Sequence, residues 1–170
     1  MADETDDAPN AEILAVEQEI QAALGDRPFD FVSLQAISNI YRAAAAVRRR
    51  AERTVLASAN LSWGGFTILW VLWVWGEMET NRLATECDLA KGTVTGLVTT
   101  LEKQGLVERE RRAEDRRRVL VRLTPAGLAT IEELFPRFNR FEGEMSGGLD
   151  IDEKEELARL LRQVITNAGD

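Results

Sequence analysis

The chain of 170 residues contains no histidine and one cysteine, Cys87. A single thiol cannot close an internal disulfide. Without histidine the chain lacks both the commonest general base and the commonest transition-metal ligand. Serine–histidine and cysteine–histidine catalysis, and most zinc sites, are thereby excluded. Carboxylate chemistry survives on composition, but no glycine-rich phosphate loop and no repeated acidic metal motif supports it. The expectation is a protein that is not an enzyme, with no metal and no cofactor. Membrane-length apolar runs are missing too. The most apolar stretch, Phe66 to Trp75, has ten residues, about half of the ~20 that a spanning helix needs, and it reads as a buried helix. The start carries Asp3, Glu4, Asp6 and Asp7 where a signal peptide would be basic. A cytoplasmic protein with no membrane partner is expected.

What is present points to one folded domain. Hydrophobic residues make up 45% and charged residues 29%, a balance that can bury a core and does not favour disorder. The net charge of −8 at first argues against a polyanionic partner, but the charge is unevenly spread. Residues 1–34 hold nine acids and one arginine, whereas residues 80–123 hold ten basic and seven acidic side chains. Nucleic acid responds to the local field at its contact surface, because screening hides charges beyond a Debye length of roughly 8 Å.

Periodicity outlines the elements. Residues 1–10 read as a disordered acidic tail. Ile13, Val16, Ile20 and Leu24 recur at helical spacing before Pro28, and the stripe Leu34, Ile37, Tyr41, Ala44, Val47, Ala51, Val55 marks a long helix from Phe31. Ser62 is placed to cap the next helix, which Gly76 ends. A link over 77–79 leads into a helix reaching about Cys87, and after a turn at 88–90 another runs from Lys91 to Gln104. Two strands follow, about Val107 to Arg111 and Arg118 to Leu123, joined by an arginine-rich loop. Thr124 and Pro125 have the pattern of a cap and first helical residue, and Asp150 with Glu153 that of a capping box. Helix, turn, helix and hairpin between long terminal helices leave apolar stripes at both ends. Self-association through those ends, with two-fold symmetry, would cover them; a closed monomeric bundle is the alternative.

The run from Leu83 to Gly127, LATECDLAKGTVTGLVTTLEKQGLVERERRAEDRRRVLVRLTPAG, resembles the reading head of MarR-type regulators. Its most specific parts are Glu114-Asp115-Arg116-Arg117 and, after a strand, Leu123-Thr124-Pro125-Ala126-Gly127. The resemblance covers about Leu34 to Val164. It implies a mainly α, winged helix-turn-helix fold with a two-stranded wing, flanked by long N- and C-terminal dimerisation helices. The expected organisation is an acidic tail over 1–10, N-terminal dimerisation helices over 11–58, a DNA-binding region over 59–123 and C-terminal helices over 124–170. The resemblance further implies a homodimeric repressor on a pseudo-palindromic site in double-stranded DNA. Its second helix would enter the major groove and its wing the minor groove, with Asp115 orienting Arg117. The other reading is a winged-helix protein-interaction module that does not bind DNA.

The charge pattern supports DNA contact independently. Seven arginines fall between Arg109 and Arg122, and Arg111, Arg112, Arg116, Arg117 and Arg118 crowd the hairpin tip. Such crowding is relieved by a polyanion, and arginine suits a narrow minor groove. On the second helix the candidate contacts are Lys91, Gly92, Thr93, Thr95, Gly96, Thr99 and Lys103. This face has no arginine to grip guanine; it offers threonine methyls to thymine and hydroxyls to mixed base edges. Ala90 and Gly96 stand where relatives often carry serine and arginine, and Asp88 where glycine is common. The tryptophans 63, 70, 73 and 75 fit core packing. Because MarR-like proteins commonly bind small aromatic effectors between reading head and dimerisation helices, Tyr41, Trp63, Phe66 and Trp70 are candidate pocket residues. Cys87 is expected to be a buried, inert thiol.

Overall fold

The three side chains expected to cap helices do so. Ser62 accepts a hydrogen bond from the Gly65 amide at 3.2 Å, Thr124 from Gly127 at 3.0 Å and Asp150 from Glu153 at 2.8 Å. The Glu153 carboxylate returns a contact to the Asp150 amide, completing the capping box. A computed structural model describes residues 14–25, 27–111 and 119–169. The tail expected over 1–10 and the hairpin tip lie outside the described residues.

The chain divides into two units, residues 1–46 and 47–170. In the first, α1 (Ala15–Leu24) and the start of α2 (Phe31–Arg53) are helical. Here Glu17, only 6% exposed, accepts hydrogen bonds from the Asn39 side-chain amide and the Leu14 amide, each at 2.8 Å. Both carboxylate oxygens are thus satisfied, which a buried charge requires.

The second unit holds the core, and its centre is α3 (Trp63–Trp75), with Phe66, Ile68, Leu69, Val71 and Leu72 all buried. A helix apolar all round must be surrounded, and α3 is packed against α4 (Thr80–Glu86), α5 (Lys91–Lys103) and α6 (Pro125–Met145). It stops at Gly76, whose φ of +76° suits a residue without a side chain. The hairpin strands β2 (Val107–Arg111) and β3 (Val119–Leu123) pair antiparallel, with Val107 opposite Leu123 and Arg111 opposite Val119. The expected link over 77–79 contains a further strand, β1 (Met78–Glu79), on the other edge of β3, with Met78 opposite Val121. The wing is therefore anchored in a three-stranded sheet, with β3 in the middle. Helix α7 (Ile151–Ala168) follows, with no side chain fully buried and Ala158, Leu161 and Val164 half-buried.

Candidate nucleic-acid interface

Helix α5 is held by one face and free on the other. Val94, Val98 and Leu101 are buried at the 3–4 residue spacing of a single stripe. Lys91, Gly92, Thr93, Thr95, Gly96 and Lys103 are exposed, and Thr99 is half-buried at the edge. The turn before it places Asp88 at φ +50°, a left-handed conformation that aspartate tolerates better than most residues with a side chain. That accounts for aspartate at a position where glycine is common. Three threonines on α5 donate their hydroxyl protons back to the helix: Thr95 to the Lys91 carbonyl and Thr99 to that of Thr95 at 2.9 Å, Thr100 to that of Gly96 at 3.1 Å. What they turn outward is methyl groups and oxygen lone pairs.

Among the described residues of the wing, Arg109 and Arg122 are paired with carboxylates. Arg122 on β3 reaches across to Glu108 at 2.9 Å and Glu110 at 3.7 Å on β2. Arg109 leaves the sheet and joins α5: its Nε lies 3.0 Å from Glu102, and its Nη2 bonds both Glu102 and, at 3.1 Å, Thr99. The hydrogen bond from Arg109 holds the Glu102 carboxyl below its usual range, and Glu102 in turn raises the guanidinium. Sequence reasoning missed this pair, since opposite charges seven residues apart across a turn give no distinctive signal. Arg111 closes β2. Arg112, Asp115, Arg116, Arg117 and Arg118 lie outside the described residues.

A helix pair with one apolar-backed, outward helix and an adjoining antiparallel hairpin is a winged helix-turn-helix, and comparison with known proteins agrees. The MarR family model matches residues 61–119, from just before the Ser62 cap to the first residue of β3. The HTH-type transcriptional regulator YwaE of Bacillus subtilis is 38% identical over 154 residues, 89% of this chain and 90% of that protein. The chain belongs to the MarR family.

The HTH-type transcriptional regulator MgrA of Staphylococcus aureus is a further relative, 32% identical over 131 residues, 77% of this chain and 88% of its own. A structure of Bordetella bronchiseptica BpsR, whose DNA binding is regulated by 6-hydroxynicotinic acid, matches with a TM-score of 0.71 at 27% identity, covering 76% of this chain and 98% of that one. The MarR-type assignment makes this chain a transcriptional regulator and not an enzyme. Among the described residues no helix is long and apolar enough to cross a membrane.

The aromatic candidates are dispersed in role. Phe66 is 5% exposed and stacks on Phe138 with ring centroids 4.2 Å apart. Trp63 is half-buried beside the same ring at 5.8 Å, and Trp70 stands edge-on to Trp75 at 5.3 Å. Tyr41, on α2, is exposed. Cys87 is buried, as expected, and burial together with the charge of Glu86 pushes its thiol up to about 11. At neutral pH it is therefore an un-ionised thiol, the less reactive form. Alkylation by iodoacetamide at pH 8, followed by mass spectrometry, is expected to be much slower than for an exposed cysteine. Fast labelling of the native protein would contradict that burial.

Proposed function

We propose that this MarR-family regulator acts as a homodimer that binds a pseudo-palindromic operator in double-stranded DNA, represses from it, and is released by a small aromatic ligand. The observation that carries the DNA contact is the small, uncharged middle of α5, with Gly92, Thr95 and Gly96 exposed and lysines at both ends. Such a face lets helix backbone approach base edges while Lys91 and Lys103 meet phosphates. The arginines of the hairpin tip, Arg111, Arg112, Arg116, Arg117 and Arg118, would supply the minor-groove contact, with Asp115 orienting Arg117. The dimer is supported by α7 and α2, which leave Ile151, Leu157, Leu160, Val32 and Tyr41 exposed. Two heads related by a dyad would meet major grooves roughly 34–36 Å apart. A cytoplasmic location follows from access to DNA.

Selection from a random-sequence DNA pool at two salt concentrations tests the reading. An enriched inverted repeat whose affinity falls with salt is the expected result. Failure to enrich any sequence would overturn it in favour of a protein-interaction module, which the net charge of −8 would suit.

Gly96 offers a sharper check. A Cβ there would meet nothing within 4 Å, so Gly96→Ala should stabilise the free protein by roughly 0.5–1 kcal/mol through helix propensity. In the complex the added methyl would stand between backbone and bases, and operator affinity should fall. Unchanged affinity and site preference would remove close approach at this position. For the ligand, the BpsR relation to 6-hydroxynicotinic acid supports an aromatic acid. Trp63, Phe66 and Trp70, all of the second unit, are the proposed pocket residues. Titration with 6-hydroxynicotinate or salicylate should quench tryptophan fluorescence and weaken operator binding together; neither change would leave the ligand clause without support.

A further inference from the structure

We propose that Arg109 is a positioning residue rather than a DNA contact: through Glu102 and Thr99 it latches the wing to the recognition helix and so fixes the angle at which the wing meets the adjacent groove. This inference rests on the DNA-binding reading above.

Arg109 sits on β2 opposite Val121, the fully buried residue of the central strand. Its side chain does not lie along the sheet. It crosses to the last two turns of α5 and takes Glu102 with Nε and Nη2 together, while Nη2 also donates to the Thr99 hydroxyl. Both nitrogens converge on one oxygen, Oε2 of Glu102, and it is the additional bond from Nη2 to Thr99, one turn away on the same helix, that gives the guanidinium a defined orientation. Thr99 is engaged twice, since its own proton goes to the Thr95 carbonyl. Its proton and one of its two lone pairs are thus taken, so Thr99 has no donor left to offer a base although it lies on the helix that does the reading.

The contrast with Arg122 makes the assignment specific. Arg122 pairs with Glu108 and Glu110, both on the neighbouring strand, and so braces the sheet internally. Arg109 joins two different elements that would touch two different grooves. A wing arginine whose charge is already met by a carboxylate on α5 adds little to phosphate neutralisation. What it adds is a fixed setting between helix and hairpin, on which simultaneous major- and minor-groove contact depends.

The test uses the full chain with two double variants, each of unchanged net charge: Arg109→Gln with Glu102→Gln, and the swap Arg109→Glu with Glu102→Arg. Amide hydrogen exchange on the free protein reads the latch without DNA. In the double glutamine variant, exchange in β2 and β3 should quicken about two- to fivefold, while α3 stays protected. In DNA binding, the same variant should keep the slope of log K against log salt, lose preference at the flanking positions read by the wing, and keep preference at the positions read by α5. The swapped pair should restore flanking preference. A slope shallower by about 0.9 per protomer, roughly 1.8 for the dimer, would show that Arg109 neutralises a phosphate and would overturn the proposal. Unchanged exchange in β2 and β3 would overturn it too. Failure of the wild-type protein to bind any DNA would instead remove the underlying reading, and the exchange result would still decide whether the latch exists.

Discussion

Replacing Gly127 by alanine is expected to destabilise the fold by about 3 kcal/mol or more, at the upper end of overpacking effects. A Cβ at this position would stand 1.9 Å from the Leu106 carbonyl oxygen and 2.9 Å from its carbon. The neighbour is backbone, so it cannot swing aside as a side chain end could. That carbonyl also accepts the Thr124 amide at 3.1 Å, and the Thr124 hydroxyl donates to the Gly105 carbonyl at 2.6 Å while capping α6 through the Gly127 amide. The segment Thr124-Pro125-Ala126-Gly127 is therefore the joint between the end of the recognition helix and the long helix α6. Forcing α6 away would break the cap and the contact together. For a chain of this size a loss of about 3 kcal/mol lowers the melting temperature by roughly 6–12 °C. Thermal unfolding followed by circular dichroism measures it, with Thr124→Ala as the milder comparison at about 1 kcal/mol. A Gly127→Ala protein melting within two or three degrees of wild type, roughly the span of 1 kcal/mol, would mean that the close approach is not there.

The second large effect concerns α7. In the proposed homodimer, Leu157→Glu with Leu160→Glu should yield a folded monomer with greatly weakened binding to the proposed operator. Both side chains are nearly half exposed, at 46% and 44%, and Ile151 and Ile165 on the same helix are more so. Charging them removes little packing within the chain, so its own stability should change by less than about 1 kcal/mol. Across a dyad the same residues would be buried, and the four carboxylates placed there without partners, two from each protomer, would be strongly unfavourable. Once the two heads are no longer tethered, the second half-site loses its effective-concentration advantage, and affinity should drop about 10²- to 10⁴-fold. Sedimentation velocity and operator titration on the same sample read both consequences. A variant that remains dimeric would place the interface elsewhere and remove α7 from the proposed assembly.

Much of this protein is written in local chemistry. Ser62, Thr124 and Asp150 cap the helices that their sequence positions imply, because a cap needs only its own amides three residues on. The buried stripe Val94, Val98, Leu101 and the stop at Gly76 are equally short-range. The reading-head pattern around Asp115 and Thr124 carried the family.

Other features have no local cause and required the folded chain. Strand β1 is two residues long, too short for any alternation to register, and exists because Met78 meets Val121 across the sheet. Arg109 and Arg122 look alike within an arginine-rich run; only the register of β2 on β3, and of β2 beside α5, gives one a partner on the recognition helix and the other partners on the wing. The sequence predicts apolar stripes at both ends of the chain, but only the fold shows that on α7 Leu161 and Val164 are half-buried while Leu157 and Leu160 stay exposed. Caps, breaks and stripes are set by residues a few positions apart and so are legible one segment at a time. Which arginine is spent on structure, and which apolar face is left uncovered, depends on atoms that only folding brings together.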